Sequence, residues 1–255
     1  ILDELVPRSG KGLRIAAPML SRIANFDDAD PLRIEPDVDF HWVTPGRPIP
    51  RDTDVVILFG TKSTLGDLAF LRAQGWDHDI HAHVRNGGRL LGICGGYQML
   101  GKRIIDTDGV DGLPGEAEGL GLLDVETHMI AEKQVNETRG QCALSGAPVA
   151  GYEIHAGITR GPATDRPMFT LNGKPEGARS PNGRIEGTYL HGAFAQDNFR
   201  RSWITRSGGR GDFALNYDGE VDRALDALAD GVEAAVDVHS LFAEARAPGW
   251  HPGTA

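Results

Sequence analysis

The hydrophobic and polar positions of this chain form short apolar runs that alternate with longer amphipathic segments. The apolar runs predict strands over residues 13–17, 40–43, 54–59 and 90–93. Helical periodicity occupies residues 65–74 and 77–86, and Gly87 and Gly88 end the second of these helices. This alternation is typical of an α/β fold, so we expect an open, mostly parallel, doubly wound sheet that is flanked by helices.

The second half of the chain has a different pattern. Residues 119–170 are rich in strand-forming runs, the clearest at 122–129 and 151–159, and they predict a β-rich middle section. A strand then leads to His191, a helix follows near residues 197–207, and a last amphipathic helix spans residues 221–245. We expect the apolar stripe of this last helix to pack against the sheet, with an interface to a partner domain as the alternative. The stripe consists of Val221, Leu225, Leu228, Val232, Ala235 and Val236.

A cysteine, Cys94, directly follows the strand at residues 90–93 and is the candidate nucleophile. Gly92 and Gly96 lie two residues before and two residues after it, which is the G-x-C-x-G spacing of a strand-to-helix nucleophile elbow. A sharp turn there lifts the side chain out of the sheet, and the free N–H groups of the following helix favour a thiolate. The alternative is a small buried cysteine whose neighbouring glycines allow close packing.

A cysteine nucleophile needs a base, and His191 is the best candidate among the nine histidines. It lies at the end of a predicted strand and is followed by Gly192, on the sheet edge where open α/β folds place their sites. An imidazole within hydrogen-bond reach of Cys94 holds the thiolate and later protonates a leaving group. The alternative is a structural histidine.

Two motifs carry a resemblance to a known family. The run GICGGYQMLG at residues 92–101 and the run YLHGAF at residues 189–194 resemble the class I glutamine amidotransferases of the cobyric acid synthase type, where the domain forms the C-terminal part. Segments 18–31, 60–64 and 151–157 are similar to the same branch, and the likeness covers residues 13–242. The resemblance implies a flavodoxin-like fold and a cysteine that attacks the side-chain amide of glutamine, giving a glutamyl thioester and ammonia.

The resemblance also implies a partner. In this family the ammonia passes to an ATP-dependent synthetase domain, which amidates peripheral carboxylates of a corrin ring during cobalamin synthesis. This chain has no G-x-x-x-x-G-K-[ST] phosphate loop, so we expect no cofactor here, and ATP and Mg²⁺ only in the partner. The chain is then a fragment or a separate glutaminase subunit. We expect a linker or tag remnant over residues 1–12, the amidotransferase domain over 13–245 and a tail over 246–255.

Three further residues are expected to bind the glutamine substrate. Gly60 follows a buried strand on the same sheet edge as the nucleophile, and its N–H group together with that of Gly95 predicts an oxyanion hole. Gln98 matches the family residue that contacts glutamine. The alternatives are an ordinary turn at Gly60 and an exposed helix residue at Gln98. The family usually carries proline where this chain has Phe59, so the loop differs in its stiffness or pocket shape.

The third member of a catalytic triad is missing from its usual place. Many class I enzymes have a glutamate two residues after the histidine, where it fixes the imidazole tautomer, but this chain has Ala193 there. The cobyric acid branch shares this absence, so we expect a Cys–His dyad in which another residue orients His191. Glu153 and Glu186 are the candidates, and the sequence does not choose between them.

Composition narrows the classes of partner. The 255 residues are 40% hydrophobic and 24% charged with a net charge of −10, which fits a soluble globular domain and argues against nucleic acid or an anionic membrane as main partner. With no long apolar run and no signal peptide, we expect a cytoplasmic protein. The two cysteines, Cys94 and Cys142, predict neither a disulfide framework nor a metal site. We expect His78, His81 and His83 to lie on a solvated helix face rather than to bind a metal.

Two classes of function remain open at this point. The first is an active glutaminase, and the second is an amidotransferase-like regulatory or interaction domain without catalysis. The presence of Cys94 and His191 favours the first, whereas the missing acid at Ala193 keeps the second open. For an active enzyme, a cell-wall lipid intermediate or the a,c-diamide step of corrin synthesis are alternative acceptors of the ammonia.

Overall fold

The apolar runs of the first half form the centre of a six-stranded sheet. The computed structural model describes residues 12–132, 134–211 and 215–244. Within these residues the strands are β1 (Leu13–Pro18), β2 (Val38–Val43), β3 (Val55–Leu58), β4 (Arg89–Ile93), β5 (Arg103–Asp106), β6 (Gly115–Glu118), β7 (Glu126–His128), β8 (Gln134–Cys142), β9 (Pro148–His155), β10 (Ile158–Arg160), β11 (Phe169–Leu171), β12 (Lys174–Glu176), β13 (Ala178–Arg179), β14 (Ile185–Thr188) and β15 (Leu190–His191). The α-helices are α1 (Asp30–Arg33), α2 (Thr64–Ala73), α3 (Trp76–Arg85), α4 (Gly95–Leu100), α5 (Asp197–Arg206), α6 (Tyr217–Ala235) and α7 (Val238–Glu244).

The main sheet has the strand order β13-β14-β4-β3-β1-β2, and its pairs are parallel except for the edge pair β13–β14. Consecutive residues of β3 enter two different hydrophobic clusters, with Val55 and Ile57 in one and Val56 and Leu58 in the other. Because successive side chains of a strand point to opposite faces, the sheet has a core on each face. The prediction of an open, mostly parallel, doubly wound sheet is confirmed.

The middle of the chain forms two smaller sheets, so the predicted β-rich section is confirmed. A four-stranded sheet has the order β10-β7-β5-β6, and a five-stranded sheet has the order β12-β11-β8-β9-β15. The strand expected over residues 122–129 is reduced to β7. The reason is that the N–H groups of Leu122 and Leu123 both donate to the carbonyl of Leu100, which holds residues before β7 in a turn.

The segment that leads to His191 is divided between two sheets. β14 pairs in parallel with β4 and places Thr188 opposite Ile93, whereas β15 pairs antiparallel with β9 and places His191 opposite Tyr152. The predicted single strand is therefore wrong, because the chain changes sheets at Tyr189. This change of sheet carries the histidine to the carboxyl end of β4, where the candidate nucleophile lies.

The chain divides into two units, Ile1–Leu215 and Asn216–Ala255. In the second unit, the side chain of Asn216 caps α6 by accepting the N–H of Gly219 at 3.2 Å. The single helix expected over residues 221–245 is two helices, because α6 ends at residue 235 and α7 begins at residue 238. No residue of α6 is buried, so this unit does not itself bury the apolar stripe that was expected to be core.

The domain boundaries stay a prediction. The expected linker at residues 1–12 lies outside the described residues except for Gly12, and the expected tail at 246–255 lies outside them entirely. Among the described helices, none is both long and apolar enough to cross a membrane.

Candidate active site

The turn between β4 and α4 holds Cys94 in a backbone conformation that few residues other than glycine adopt. Its φ is 53° and its ψ is −113°, and such strained residues cluster at functional sites. The flanking glycines are required by close packing. A Cβ at Gly92 would lie 2.7 Å from the backbone of Gly96, and a Cβ at Gly96 would lie 1.9 Å from the carbonyl oxygen of Leu58. The elbow geometry expected from the G-x-C-x-G spacing is therefore present.

His191 lies beside Cys94 at the carboxyl edge of the main sheet. Both residues flank Gly60, because a Cβ built there would lie 3.5 Å from Cε1 of His191 and 3.6 Å from Cβ of Cys94. The imidazole is fully buried, and its Nε2 has no partner of ordinary hydrogen-bond geometry among the described residues. The side chain of Cys94 is one of the groups that raise the pKa of this imidazole. Nε2 is therefore the ring atom available to exchange a proton with the sulfur.

The other ring nitrogen of His191 is bound by an acid that sequence analysis missed. Oδ2 of Asp28 lies 2.6 Å from Nδ1 of His191, and the Asp28 side chain is almost fully buried. Glu153 and Glu186 were expected as candidates for this role, and that expectation is wrong. Glu186 accepts hydrogen bonds from the side chains of Trp203 and Arg206 on α5, whereas Glu153 lies on β9 with its carboxyl pKa raised by burial.

Opposing effects act on the pKa of His191. Burial disfavours the charged imidazolium and lowers the pKa, but the hydrogen bond to Asp28 and the interaction with Cys94 act in the other direction. Together they raise the pKa of His191 from 6.5 to about 10. The imidazole therefore carries a proton at neutral pH and is ready to act as an acid toward a leaving group.

An aromatic ring covers one face of the candidate base. Tyr152 of β9 stacks on the imidazole of His191, with ring centroids 5.2 Å apart and an interplanar angle of 22°. The hydroxyl of Tyr152 accepts a hydrogen bond from Nδ2 of Asn25 at 2.8 Å. Asn25 itself has a φ of 53° and opens the 3-10 turn that contains Asp28. The stacked ring thus connects the base to the segment that supplies its acid.

Gly60 lies on the loop after β3 and Gly95 is the first residue of α4, and the two meet beside Cys94. A Cβ at Gly95 would lie 2.6 Å from Cγ2 of Thr61 and 3.2 Å from its backbone nitrogen, so the loop after β3 touches the first turn of α4. The structure therefore brings both glycines to the nucleophile, as expected. Their role as oxyanion donors stays a prediction.

Phe59, which stands where the family usually has proline, is fully buried at the start of this loop. Its ring packs against Trp42 and Phe40, with centroid distances of 5.5 and 6.4 Å. Aromatic packing therefore anchors the loop in this chain at the position where a proline ring would otherwise restrict it.

A cavity of about 440 Å³ opens beside Cys94. Gln98 lines it and is only 2% exposed, so the alternative of an exposed helix residue is wrong. Oε1 of Gln98 accepts from the hydroxyl of Thr64 at 2.9 Å, and Nε2 donates to Oη of Tyr189 at 3.2 Å and to the carbonyl of Ala156 at 3.4 Å. The amide is thus held in a fixed orientation, and its contact with a substrate stays a prediction.

Charged groups of both signs line the same cavity. Lys62 and Asp111 contribute one ammonium and one carboxyl group, and His155, the last residue of β9, also lines the cavity. Burial raises the pKa of Asp111, although the backbone N–H of Thr64 donates to the carboxylate. A small polar molecule with separate positive and negative groups fits such a lining.

The second cysteine and the histidines of α3 lie outside this candidate active site. Cys142 is 1% exposed and ends β8. His81 contacts the carbonyl oxygens of Asp77 and Leu120, and Nε2 of His83 lies 2.8 Å from the carbonyl oxygen of Arg89. Across the residues that the structure describes, no group of three or more potential ligands is arranged to hold a metal ion.

Solved structures share this fold. PurLQS from Thermotoga maritima has a TM-score of 0.54 and 13% sequence identity, with 79% of this chain and 94% of that chain covered. A crystal structure of a glutamine amidotransferase has a TM-score of 0.53 and 16% identity, with 77% and 98% covered. At these identities the likeness shows the fold alone.

Curated proteins found by sequence share a much higher identity with this chain than these solved structures do. The cobyric acid synthase of Hyphomonas neptunium is 63% identical over 98% of this chain and 50% of its own length. The cobyric acid synthase of Paracoccus denitrificans is 56% identical over 93% of this chain and 49% of its own length. The chain thus spans about half the length of these curated relatives. The family model described as CobB/CobQ-like glutamine amidotransferase domain matches residues 14–199, a range that contains Asp28, Cys94 and His191. This chain therefore belongs to the CobB/CobQ-like glutamine amidotransferase domain family.

Proposed function

We propose that this chain hydrolyses the side-chain amide of glutamine and releases ammonia for the amidation of peripheral carboxylates of a corrin ring. One observation carries the proposal, namely the juxtaposition of three side chains. Cys94 lies in a strained elbow, His191 lies beside it, and Asp28 is hydrogen-bonded to the far side of the imidazole. This arrangement of nucleophile, base and orienting acid is typical of acyl-transfer enzymes.

The proposed reaction has two halves. The thiolate of Cys94 attacks the amide carbon of glutamine, and His191 gives its proton to the amide nitrogen as the C–N bond breaks. Ammonia leaves and a γ-glutamyl thioester remains on Cys94. Water then attacks the thioester and gives a proton to His191, the C–S bond breaks, and glutamate leaves with the thiolate restored.

The charge that develops on the carbonyl oxygen needs donors, and the N–H groups of Gly60 and Gly95 are proposed to supply them. Support comes from the contact between the loop after β3 and the first turn of α4 beside Cys94. Lys62 and Asp111 line the same cavity and suit the α-carboxylate and α-ammonium groups of glutamine. The fixed amide of Gln98 is proposed to contact the substrate between them.

The fate of the ammonia is proposed from the relatives. They are named cobyric acid synthase and are about twice as long as the stretch that this chain matches. We propose that an ATP-dependent synthetase domain, on the same polypeptide or on a separate subunit, binds ATP, Mg²⁺ and the corrinoid acceptor. The chain described here then supplies ammonia and needs no cofactor for its own chemistry.

Glutamate release tests this division of work. We expect the chain alone to hydrolyse glutamine slowly, and the synthetase domain with ATP and a corrinoid acid to raise the rate. The physical reason is that a misplacement of the Gly60 donor by about 1 Å costs about 10²-fold in rate, and we propose that docking of the partner fixes this donor in place. Cys94→Ser is the control for background release.

Three outcomes would contradict parts of the proposal. Absence of Cys94-dependent glutamate release under every condition would favour a non-catalytic interaction domain. Full activity without the partner would refute gating. Amidation of only a cell-wall lipid intermediate or of the a,c-carboxylates of the corrin ring would assign a different acceptor.

A further inference from the structure

Asp67 is a fully buried carboxylate that the proposed reaction does not use. It lies in the first turn of α2 and is 0% exposed. Oδ1 accepts a hydrogen bond from the hydroxyl of Ser21, and Oδ2 accepts one from the hydroxyl of Thr61. The N–H of Arg22 also donates to Oδ2, at 3.0 Å. One side chain therefore binds two segments of the chain, residues 21–22 and residue 61.

The same two segments pair through their main chains. Ile23 and Thr61 form an isolated antiparallel bridge. The N–H of Ala24 donates to the carbonyl of Gly60 at 2.8 Å, and the N–H of Lys62 donates to the carbonyl of Arg22 at 3.0 Å. Because the Gly60 carbonyl is fixed from one side, the orientation of the peptides around Gly60 depends on this pairing.

The pairing is short, since the bridge is isolated and lies outside the named strands. Two main-chain hydrogen bonds alone stabilise this pairing only weakly, because a typical hydrogen bond contributes only about 0.5–1.5 kcal/mol net. Hydrogen bonds to a buried carboxylate are stronger than hydrogen bonds between two neutral groups. The carboxylate of Asp67 therefore supplies the firmest connection between the two segments.

We infer that Asp67 is a positioning residue, which holds the Gly60 loop against segment 21–24 and so aims the oxyanion donors at Cys94. This inference rests on the proposed function, because it concerns the step in which the oxyanion forms. Asp28 has its own bonds to His191 and Gly192, so loss of the Asp67 carboxylate releases the loop without releasing the triad. An amide at position 67 is a poorer replacement for the carboxylate, because it is uncharged and its NH₂ group takes the place of one of the two oxygens that accept hydrogen bonds.

Two thiol reagents separate this role from a general loss of stability. Iodoacetamide alkylates sulfur by direct displacement and forms no oxyanion. A glutamine-analogue chloroketone instead passes through a tetrahedral adduct, whose oxygen needs the oxyanion donors. We expect Asp67→Asn to lower both kcat for glutamine and the chloroketone rate at Cys94 by about 10²-fold. The KM for glutamine is expected to change less than kcat, and the iodoacetamide rate at Cys94 is expected to stay unchanged.

A matched pair of substitutions tests the hydroxyl of Thr61, which donates to Asp67 and accepts the N–H of Ser63 at 3.0 Å. Thr61→Val keeps the shape of the side chain and removes the hydroxyl, whereas Thr61→Ser keeps the hydroxyl. We expect kcat to fall at least about 10-fold in the valine variant, because it loses the hydrogen bond to Asp67 and the bond accepted from Ser63, and to be largely retained in the serine variant. Asp37→Asn is the control, because Asp37 is also buried and accepts a backbone N–H, that of Arg210 at 2.6 Å.

The outcomes are distinct. Wild-type kcat and chloroketone rates in both Asp67→Asn and Thr61→Val would overturn the inference. A parallel fall of both alkylation rates that follows the loss of folded protein would overturn it as well, since this indicates a purely structural role. If Asp67→Asn does not fold, the Thr61 pair decides by the same criteria. Failure of the proposed function looks different, because the wild-type protein itself would then neither release glutamate nor react with the chloroketone.

Discussion

Oδ2 of Asp28 lies 2.6 Å from Nδ1 of His191, although the two residues are 163 positions apart in the chain. Oδ1 of the same carboxylate accepts the N–H of Gly192 at 2.7 Å. Asp28 thus fixes both the imidazole and the turn that follows it. It fills the orienting role that many class I enzymes give to a glutamate two residues after the histidine, where this chain has Ala193.

Replacement of this acid tests its role in orienting the base. We expect Asp28→Asn to lower kcat for glutamine hydrolysis by roughly 10²–10⁴-fold, because an amide no longer stabilises the imidazolium or selects its tautomer. The KM for glutamine is expected to change little. Steady-state glutamate release measures both constants, and circular dichroism checks the fold. An Asp28→Asn enzyme with wild-type kcat would show that another group orients His191.

Removal of the base itself is expected to abolish turnover. We predict that His191→Ala lowers glutamate release by roughly 10²–10⁴-fold in a protein that stays folded, because thioester formation and ammonia departure both need a proton shuttle. His83→Ala is a suitable control, since His83 is a partly buried histidine outside the site whose ring is bonded to a backbone carbonyl. Retained glutaminase activity in folded His191→Ala would mean that a different residue is the base.

A half-buried acid near the site, Glu176, predicts a pH dependence of stability. Burial raises the pKa of Glu176 from 4.5 to about 7, even though the hydroxyl of Thr188 and the N–H of Tyr189 donate to it. The folded state therefore keeps a proton that the unfolded chain releases. Its contribution to stability is fully present below about pH 4.5 and is lost as the pH rises through about 7.

We expect Glu176→Gln to flatten the fall in the free energy of unfolding between pH 4.5 and pH 7. Urea denaturation at several pH values measures this slope. Glu118→Gln, at an exposed position of β6, is the matched control and should keep the wild-type slope. Identical slopes in wild type and Glu176→Gln would show that Glu176 is already ionised in the folded state.

The elbow and the order of strands and helices follow from the sequence because both depend on local patterns. Gly92 and Gly96 are needed within a few residues of Cys94, so their spacing alone indicates the sharp turn. The apolar run of β3 likewise indicates a sheet that is buried on both faces, because all four residues of the strand are apolar. Such signals involve neighbours in the chain, and sequence patterns report them directly.

Asp28 was missed because its partner is remote in sequence. It lies in a 3-10 turn, and the left-handed backbone of Asn25 sets the direction of the chain before that turn. No hydrophobic periodicity predicts whether Asp27 or Asp28 points into the protein. A signal was present, since both acids fall within the family-like segment 18–31. Glu186, a rejected candidate, is buried beside Arg206 instead. Pairing between distant charged side chains is decided by tertiary structure.

Labelling of the thiols tests the central claim, that Cys94 is the nucleophile of a glutamine-specific site. The measurement is intact-mass analysis followed by peptide mapping, after exposure of the folded protein to a glutamine-analogue chloroketone. We predict one adduct, located on Cys94, which excess glutamine prevents and which Cys94→Ser does not form. Cys142 is 1% exposed and should stay unmodified. Label mainly on Cys142, or no label on the folded protein, would contradict the assignment of Cys94 as the nucleophile.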